Sequence, residues 1–404
     1  MSTLKKIDRL LRDSILFIYD LLKFIPLKAV DSILSYSASG EFSKEIFLIK
    51  LDEIGDYILF RNFLPFIKGS EKHSDYKVVL CGNIAWKNLA ENLDANYVDE
   101  FIWLDKKKFS TNFVYRYKFL KMIAARNSLI SINCSYSRSF YIDDAIIHAI
   151  KIAKKIGFKT DLSNSYKWQI KFSNSYYNEL INSEEERFDF YKNRILFTRL
   201  LQAPTPIAKP VITYENNHPN FRIDGNYAIF FIGGRLSYKR WSLNNFIKLG
   251  EYLIQNYNLK IVLAGSFSEK NINEKFLSKI KTRELVVDLT GKTTLLDLIK
   301  ILGDAKLLVS NDTGIVHVAA SINTPTTVLA NGTHLGRFLP YPDDINNKIK
   351  VIYPLEIMAL IEKKDFSNKN LIYRSLYDIN SIRLETVMEE VDKILLSTKN
   401  DKYL

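Results

Sequence analysis

Val309-Ser310-Asn311-Asp312-Thr313-Gly314-Ile315-Val316-His317-Val318-Ala319-Ala320 decides the fold class of this chain. The apolar run 306–309 before it reads as a buried strand that ends in a small polar turn. The turn opens a helix, with Thr313 placed to cap it and His317 in its first turns. Strand, short polar turn and helix N-terminus together present bare backbone N–H groups to an anion. Gly314 lets a ligand approach the backbone closely. The expected occupant carries phosphates. Asp-Thr-Gly also occurs in aspartic proteases, but those need two carboxylates sharing a proton, and this chain has one such tripeptide.

The same pattern recurs outward in both directions. Strands are expected at 46–49, 77–80 and 129–132, with helices at 57–67, 84–93 and around 145–156. The second half repeats it, with strands at 227–232, 260–263, 285–287 and 326–329 and helices at 243–256 and 295–302. Alternation of this kind implies parallel sheets covered by helices on both faces. The expected architecture is α/β: two doubly wound, Rossmann-like domains facing a cleft, where ligands gather at strand C-termini. Pro204, Pro206, Pro210 and Pro219 mark the divide. The expected domains are a helical extension over 1–43, an acceptor-side domain over 44–205 and a nucleotide-sugar-binding domain over 206–404.

Composition bounds the class. Length of 404 residues suits two or three domains with ample core. Hydrophobic content of 47% and charged content of 25% are those of a globular chain rather than a disordered one. Cys81 and Cys134 stand far apart without metal-ligand spacing, and a cytoplasmic, reducing setting follows. Neither a membrane-spanning apolar run nor a signal-peptide pattern is expected.

The N-terminal segment is amphipathic. Leu4, Ile7, Leu10, Leu11, Ile15, Ile18, Leu21, Leu22 and Ile25 recur at helical spacing, and the helix is expected to stop near Pro26. Lys5, Lys6, Arg9, Arg12 and Lys23 would suit a membrane interface. Asp8, Asp13 and Asp20 offset most of that charge, which favours packing on the protein. Net charge is +12, and residues 105–159 carry nine Lys and three Arg against three Asp. So basic a block suits an acidic glycolipid or an anionic membrane, or it is simply a solvated face. Nucleic acid is not expected, because no recognised binding motif accompanies the charge.

Several motifs together resemble the heptosyltransferases, glycosyltransferase family 9. Lys50-Leu51-Asp52-Glu53-Ile54-Gly55-Asp56 before a helix looks like that family's first-strand signature. Gly291-Lys292-Thr293-Thr294-Leu295, Asn311-Asp312-Thr313-Gly314 and His317-Val318-Ala319-Ala320 look like its C-terminal signature in order and spacing. Lys239-Arg240-Trp241, Gly332-Thr333, Pro340-Tyr341, Arg138-Ser139 and Ile156-Gly157-Phe158 resemble further family positions. Ser242 and Ile315 depart from the family, which commonly has Pro at both places. The resemblance covers roughly 44–396.

What it implies is a GT-B fold and inverting, metal-independent transfer of a sugar, typically heptose from ADP-heptose, to a lipopolysaccharide or other surface-glycan acceptor. No cofactor beyond the nucleotide-sugar donor is implied. The setting would be the cytoplasm, with peripheral contact on the inner face of the cytoplasmic membrane. By position, Asp56 would be the general base and Lys239 would hold the diphosphate. Asp312, Thr313, Gly314 and His317 would bind the donor.

The residues support that chemistry on their own terms. A sugar hydroxyl is a weak nucleophile that a nearby carboxylate can assist. A cation and a helix N-terminus can take the charge of a departing diphosphate. Arg235, after Gly233-Gly234, is a further phosphate candidate. Glu269, after Gly265-Ser266, either reads a nucleotide ribose or is a solvated loop acid. Asp343-Asp344 is expected to be solvated rather than metal-binding. Other classes share this shape: a non-catalytic nucleotide-sugar-binding or assembly protein, and a sugar-nucleotide epimerase.

Overall fold

The computed structural model describes residues 22, 24–29, 31, 41–151, 153–207, 209–213, 223–363, 371 and 375–400. Most of the expected helix over 4–25 lies outside them. The described part corrects its end: Leu22 and residues 24–29 and 31 are helical, so the helix runs through Pro26. Proline removes one helical hydrogen bond. Beyond it, Leu27 is buried and Asp31 pairs with Arg116 at 2.9 Å, contacts that anchor the segment.

Contacts divide the chain into two units. The first gathers the described residues up to Leu51 with Lys72–Ala85 and Val98–Asn182. Its strands are β1 (Ser43–Lys50), β2 (Lys77–Asn83), β3 (Glu100–Leu104), β4 (Ser128–Asn133), β5 (Lys154–Phe158) and β6 (Glu179–Ile181). They pair in parallel in the order β3-β2-β1-β4-β5-β6, the doubly wound arrangement. Residues 45–50 of β1 are all buried, as in a strand covered on both faces. Phe47, Ile49, Val79, Phe119, Leu120 and Ile146 belong to one core cluster.

The second unit holds Asp52–Glu71, Trp86–Tyr97 and the described residues from Ser183 onward. Its strands are β7 (Tyr227–Phe231), β8 (Lys260–Leu263), β9 (Val286–Asp288), β10 (Leu307–Asn311), β11 (Thr326–Leu329) and β12 (Ile349–Ile352). The order is β12-β11-β10-β7-β8-β9, again parallel and doubly wound, with its switch point between β10 and β7. Phe230, Trp241, Phe246, Leu263 and Val309 lie in its core. The helix Leu384–Asn400 is tied down where Tyr252 and Tyr257 both donate to Asp392, at 2.8 and 2.6 Å.

Three expectations need correction. The units are not the contiguous stretches 44–205 and 206–404: Asp52–Glu71, Trp86–Tyr97 and the helix Asp189–Leu201 cluster with the second one. The helix around 145–156 is instead Asp143–Ala149 followed by β5, whose Gly157 suits a strand against which Tyr177 packs closely. The helix over 57–67 is two, Ile54–Arg61 and Leu64–Lys68, because Pro65 can sit only in a first turn.

Candidate active site

The β10–β7 switch point is held by one buried amide. Asn311 ends β10, and its Nδ2 donates to the carbonyls of Ile232 and Gly233 at 2.9 and 3.0 Å. Its Oδ1 accepts the Trp241 backbone N–H at 3.0 Å. Three bonds at 1% exposure therefore fix the loop after β7 to the end of β10. That loop carries Arg235, and the 3-10 turn Ser237–Lys239 follows it.

Beyond Asn311, the helix Ile315–Ser321 begins at Gly314 without a side-chain cap, so Thr313 does not cap it as expected. The Thr313 hydroxyl lies 3.2 Å from that of Ser310 instead. Gly314 packs against the first turn of the helix Ile54–Arg61: a Cβ at Gly314 would lie 3.1 Å from the Gly55 nitrogen. A Cβ at Gly55 would lie 2.5 Å from His317 Cδ2. Gly55 thus leaves no room for a Cβ and Gly314 only a tight place for one, and it is this approach that brings Asp56 beside residues 312–317.

The back of the Ile54–Arg61 helix is anchored. Tyr57 donates to Asp94 and stacks on Trp86 with ring centroids 4.3 Å apart. Arg61 pairs with Asp94 at 2.7 Å, both nearly fully buried. Trp86 Nε1 donates to the Asp52 carbonyl at 3.1 Å, and Asn193 donates to that of Leu59. Asp56 therefore sits half-buried in the first turn of a helix held from behind.

Asp56, Arg235, Lys239, Asp312, Thr313, Gly314 and His317 all line one cavity of about 330 Å³ within the second unit. Glu269 does not line it. Its carboxylate closes a capping box, accepting from the Ser266 N–H and hydroxyl at 2.6 and 2.9 Å. It also fills the space beside Gly233. Asp344 accepts from the Tyr191 hydroxyl at 2.7 Å. Among the described residues no group of three His, Cys, Asp or Glu is gathered as a metal site.

Charge in the cavity is not positive: the carboxylates Glu53, Asp56 and Asp312 share it with the cations Arg235 and Lys239. Lys239 Nζ meets Asp312 Oδ2 at 2.6 Å with both side chains about 15% exposed. Arg235 and Glu53 approach to 3.5 Å, but both are largely exposed, so that pair is weak and exchangeable. An ammonium has three donors, and Asp312 uses one. His317 adds no charge near neutrality, because burial pushes its pKa down to about 4. Its Nδ1 lies 2.6 Å from the Tyr341 hydroxyl, which leaves Nε2 on the side of Gly55.

Sequence reading missed several parts of this site. Glu53, His334 and Phe338 also line the cavity. Tyr341, His334 and Phe338 come from a loop held by Arg337, whose Nε bonds Asp189 at 3.0 Å. The Gly-Lys-Thr-Thr-Leu motif proves to be a helix start: Gly291 takes φ +68°, and Thr294 caps the helix Leu295–Asp304 in a box with Asp297.

The sequence model of glycosyltransferase family 9 (heptosyltransferase) matches residues 142–357, more than half of the chain. The chain belongs to this family. Lipooligosaccharide heptosyltransferase 2 of Haemophilus influenzae is 29% identical over 160 residues, covering 39% of this chain and 43% of that relative. Lipopolysaccharide heptosyltransferase 2 of Escherichia coli is equally similar over the same shares. The matched stretch spans less than half the length of these relatives. Among solved structures, the E. coli ADP-heptose LPS heptosyltransferase II superposes with TM-score 0.64 at 16% identity, over 88% of this chain and 99% of that one. A family 9 glycosyltransferase from Veillonella parvula gives 0.65 at 18% identity, over 89% and 100%. Identity this low establishes the fold, two Rossmann-like units of the GT-B class. Lys239, Asp312 and His317 fall inside the family match, whereas Asp56 precedes it and its place rests on geometry.

Proposed function

We propose that this family 9 protein is an inverting, metal-independent glycosyltransferase. It moves a sugar, heptose in the first instance, from a nucleotide-diphosphate donor to an acidic lipopolysaccharide-type acceptor at the inner face of the cytoplasmic membrane. The observation that carries this is a carboxylate, Asp56, sharing one cavity with Lys239, Asp312, Thr313 and His317.

The chemistry follows from those groups. Asp56 accepts the proton of the acceptor hydroxyl while that oxygen attacks the anomeric carbon. The C–O bond to the diphosphate breaks on the opposite face, which inverts the centre. Negative charge then grows on the departing phosphate, and the remaining Lys239 N–H donors and Arg235 stabilise it in place of a metal ion. Asp312 holds the ammonium of Lys239 in position and can accept from donor sugar hydroxyls. Neutral His317 offers a hydrogen bond through Nε2 without a charge. Thr313 and Gly314 line the approach to the helix Ile315–Ser321.

A thermal-shift panel of ADP-heptose, UDP-sugars and GDP-sugars tests the reading. At a hundred times its Kd a donor stabilises the folded protein by about 2.7 kcal/mol. One diphosphate donor is expected to raise the wild-type melting temperature and to fail with Lys239→Ala, each protein compared with its own unliganded baseline. Equal shifts in both would refute the role of Lys239. Donor binding without transfer to any acceptor would favour a non-catalytic binding protein.

A further inference from the structure

Residues 106–142 of the first unit contain no Asp or Glu, yet hold Lys106, Lys107, Lys108, Lys118, Lys121, Arg116, Arg126 and Arg138. The three arginines turn inward to carboxylates: Arg116 to Asp31, Arg126 to Glu45 and Glu100, Arg138 to Asp144. The lysines behave differently. Lys107, Lys108, Lys118 and Lys121 are exposed, and among the described residues Lys107, Lys118 and Lys121 pair with no carboxylate.

Apolar side chains stand between them. The helix Lys106–Thr111 is capped by Asp105, and the helix Phe113–Ala124 by Asn112. At the corner between them Phe113 is 53% exposed and Val114 63%. Helical spacing puts Val114, Lys118, Lys121 and Met122 on one face, where Met122 is 44% exposed. The other face holds the helix to the unit through Arg116, Phe119, Leu120 and Ile123. The outward apolar groups lie outside the unit's core cluster.

We propose that this face, residues 107–122, docks on an anionic lipid bilayer, with Phe113 and Val114 entering the headgroup boundary and the lysines contacting acidic headgroups. The inference rests on the proposed function for its setting and gives that membrane contact a place. Charge complementarity selects the partner: an apolar wedge flanked by lysines, with no acid on the segment, suits an acidic interface. Nucleic acid would gain little from aliphatic Val114 and Met122, since bases are held by stacking and phosphates by cations.

Vesicle co-sedimentation tests it, using phosphatidylcholine with and without phosphatidylglycerol as about a third of the lipid. Wild type is expected to bind only the acidic vesicles, and less as salt rises. Each lysine near such a surface is worth about five-fold in partitioning. Lys107→Gln, Lys118→Gln and Lys121→Gln combined should therefore lower it about a hundred-fold. Phe113→Ser with Val114→Ser should lower it roughly ten-fold and preserve the salt dependence. The ADP-induced thermal shift should be unchanged in both variants. Variants that sediment like wild type, a wild type that ignores acidic vesicles, or one that prefers duplex DNA would each overturn the proposal. So would variants that lose the ADP shift. If wild type shows no nucleotide shift while the vesicle pattern holds, the donor reading fails and the docking surface stands.

Discussion

Gly55→Ala probes the contact on which the site is built. An ideal Cβ there lies 2.5 Å from His317 Cδ2, 3.3 Å from Nε2 and 3.4 Å from Gly314 Cα. Carbon contacts settle at about 3.5–4.0 Å, so roughly 1 Å must be made up. His317 cannot yield cheaply, being buried and held at 2.6 Å by Tyr341. Helix propensity alone would favour alanine by up to about 1 kcal/mol. Overpacking costs about 1–3 kcal/mol, so the expected net effect runs from near zero to a loss of about 3 kcal/mol. The larger effect is positional. Asp56 is the next residue, and moving its helix turn by about 1 Å should slow transfer on the order of 100-fold. Urea unfolding and initial transfer rates, with Gly69→Ala as a control, measure both parts. At Gly69 the added Cβ would meet only the Pro65 carbonyl, at an ordinary 3.5 Å. A Gly55→Ala protein that is more stable than wild type and fully active would refute the close approach.

Three other outcomes are expected. Asn311→Ala removes two buried donor bonds and one acceptor, and should cost about 2–4 kcal/mol in urea unfolding while weakening ADP binding. Asp94→Ala leaves the buried Arg61 guanidinium without its carboxylate and should cost about 3–5 kcal/mol, read as a lower urea midpoint. The pH dependence follows from His317, whose folded pKa lies below its unfolded value. The unfolded chain then binds the extra proton, so this contribution is complete above about pH 6.5 and declines as pH falls toward 4. Between pH 7 and pH 5.5 wild type should lose about 1 kcal/mol more than His317→Asn, compared by urea midpoints at each pH. Identical pH slopes in the two proteins would argue against a buried neutral imidazole.

Much of the second unit was legible because its strands are short apolar runs ending in small polar turns. The strand read at 260–263 is β8, and the strand and helix around 306–321 sit as the opening motif suggests. Legibility failed where a strand lacks that signature: β5 opens on Lys154-Lys155, and β6 has three residues. Periodicity has little to detect in such segments, and sheet pairing supplies what propensity does not. β3 carries an apolar run, Phe101-Ile102-Trp103-Leu104, and was overlooked all the same. Within the site, chemistry-bearing residues at strand ends could be named from type and position. Their partners could not. The pairing of Lys239 with Asp312 joins residues 73 apart, and Tyr341 reaches His317 from an irregular loop. Nor could the cavity's charge be read: Arg235 and Lys239 share it with Glu53, Asp56 and Asp312, a fact of tertiary placement alone.

Donor affinity and transfer rate in Asp56→Asn give the most direct test, since the substitution keeps shape and removes only the proton acceptor. We predict that ADP-heptose binds this variant within about two-fold of wild type while single-turnover transfer falls by roughly 10²–10⁴-fold. Transfer at the wild-type rate would contradict the assignment of Asp56, and with it the claim that this cavity joins a base to a diphosphate site.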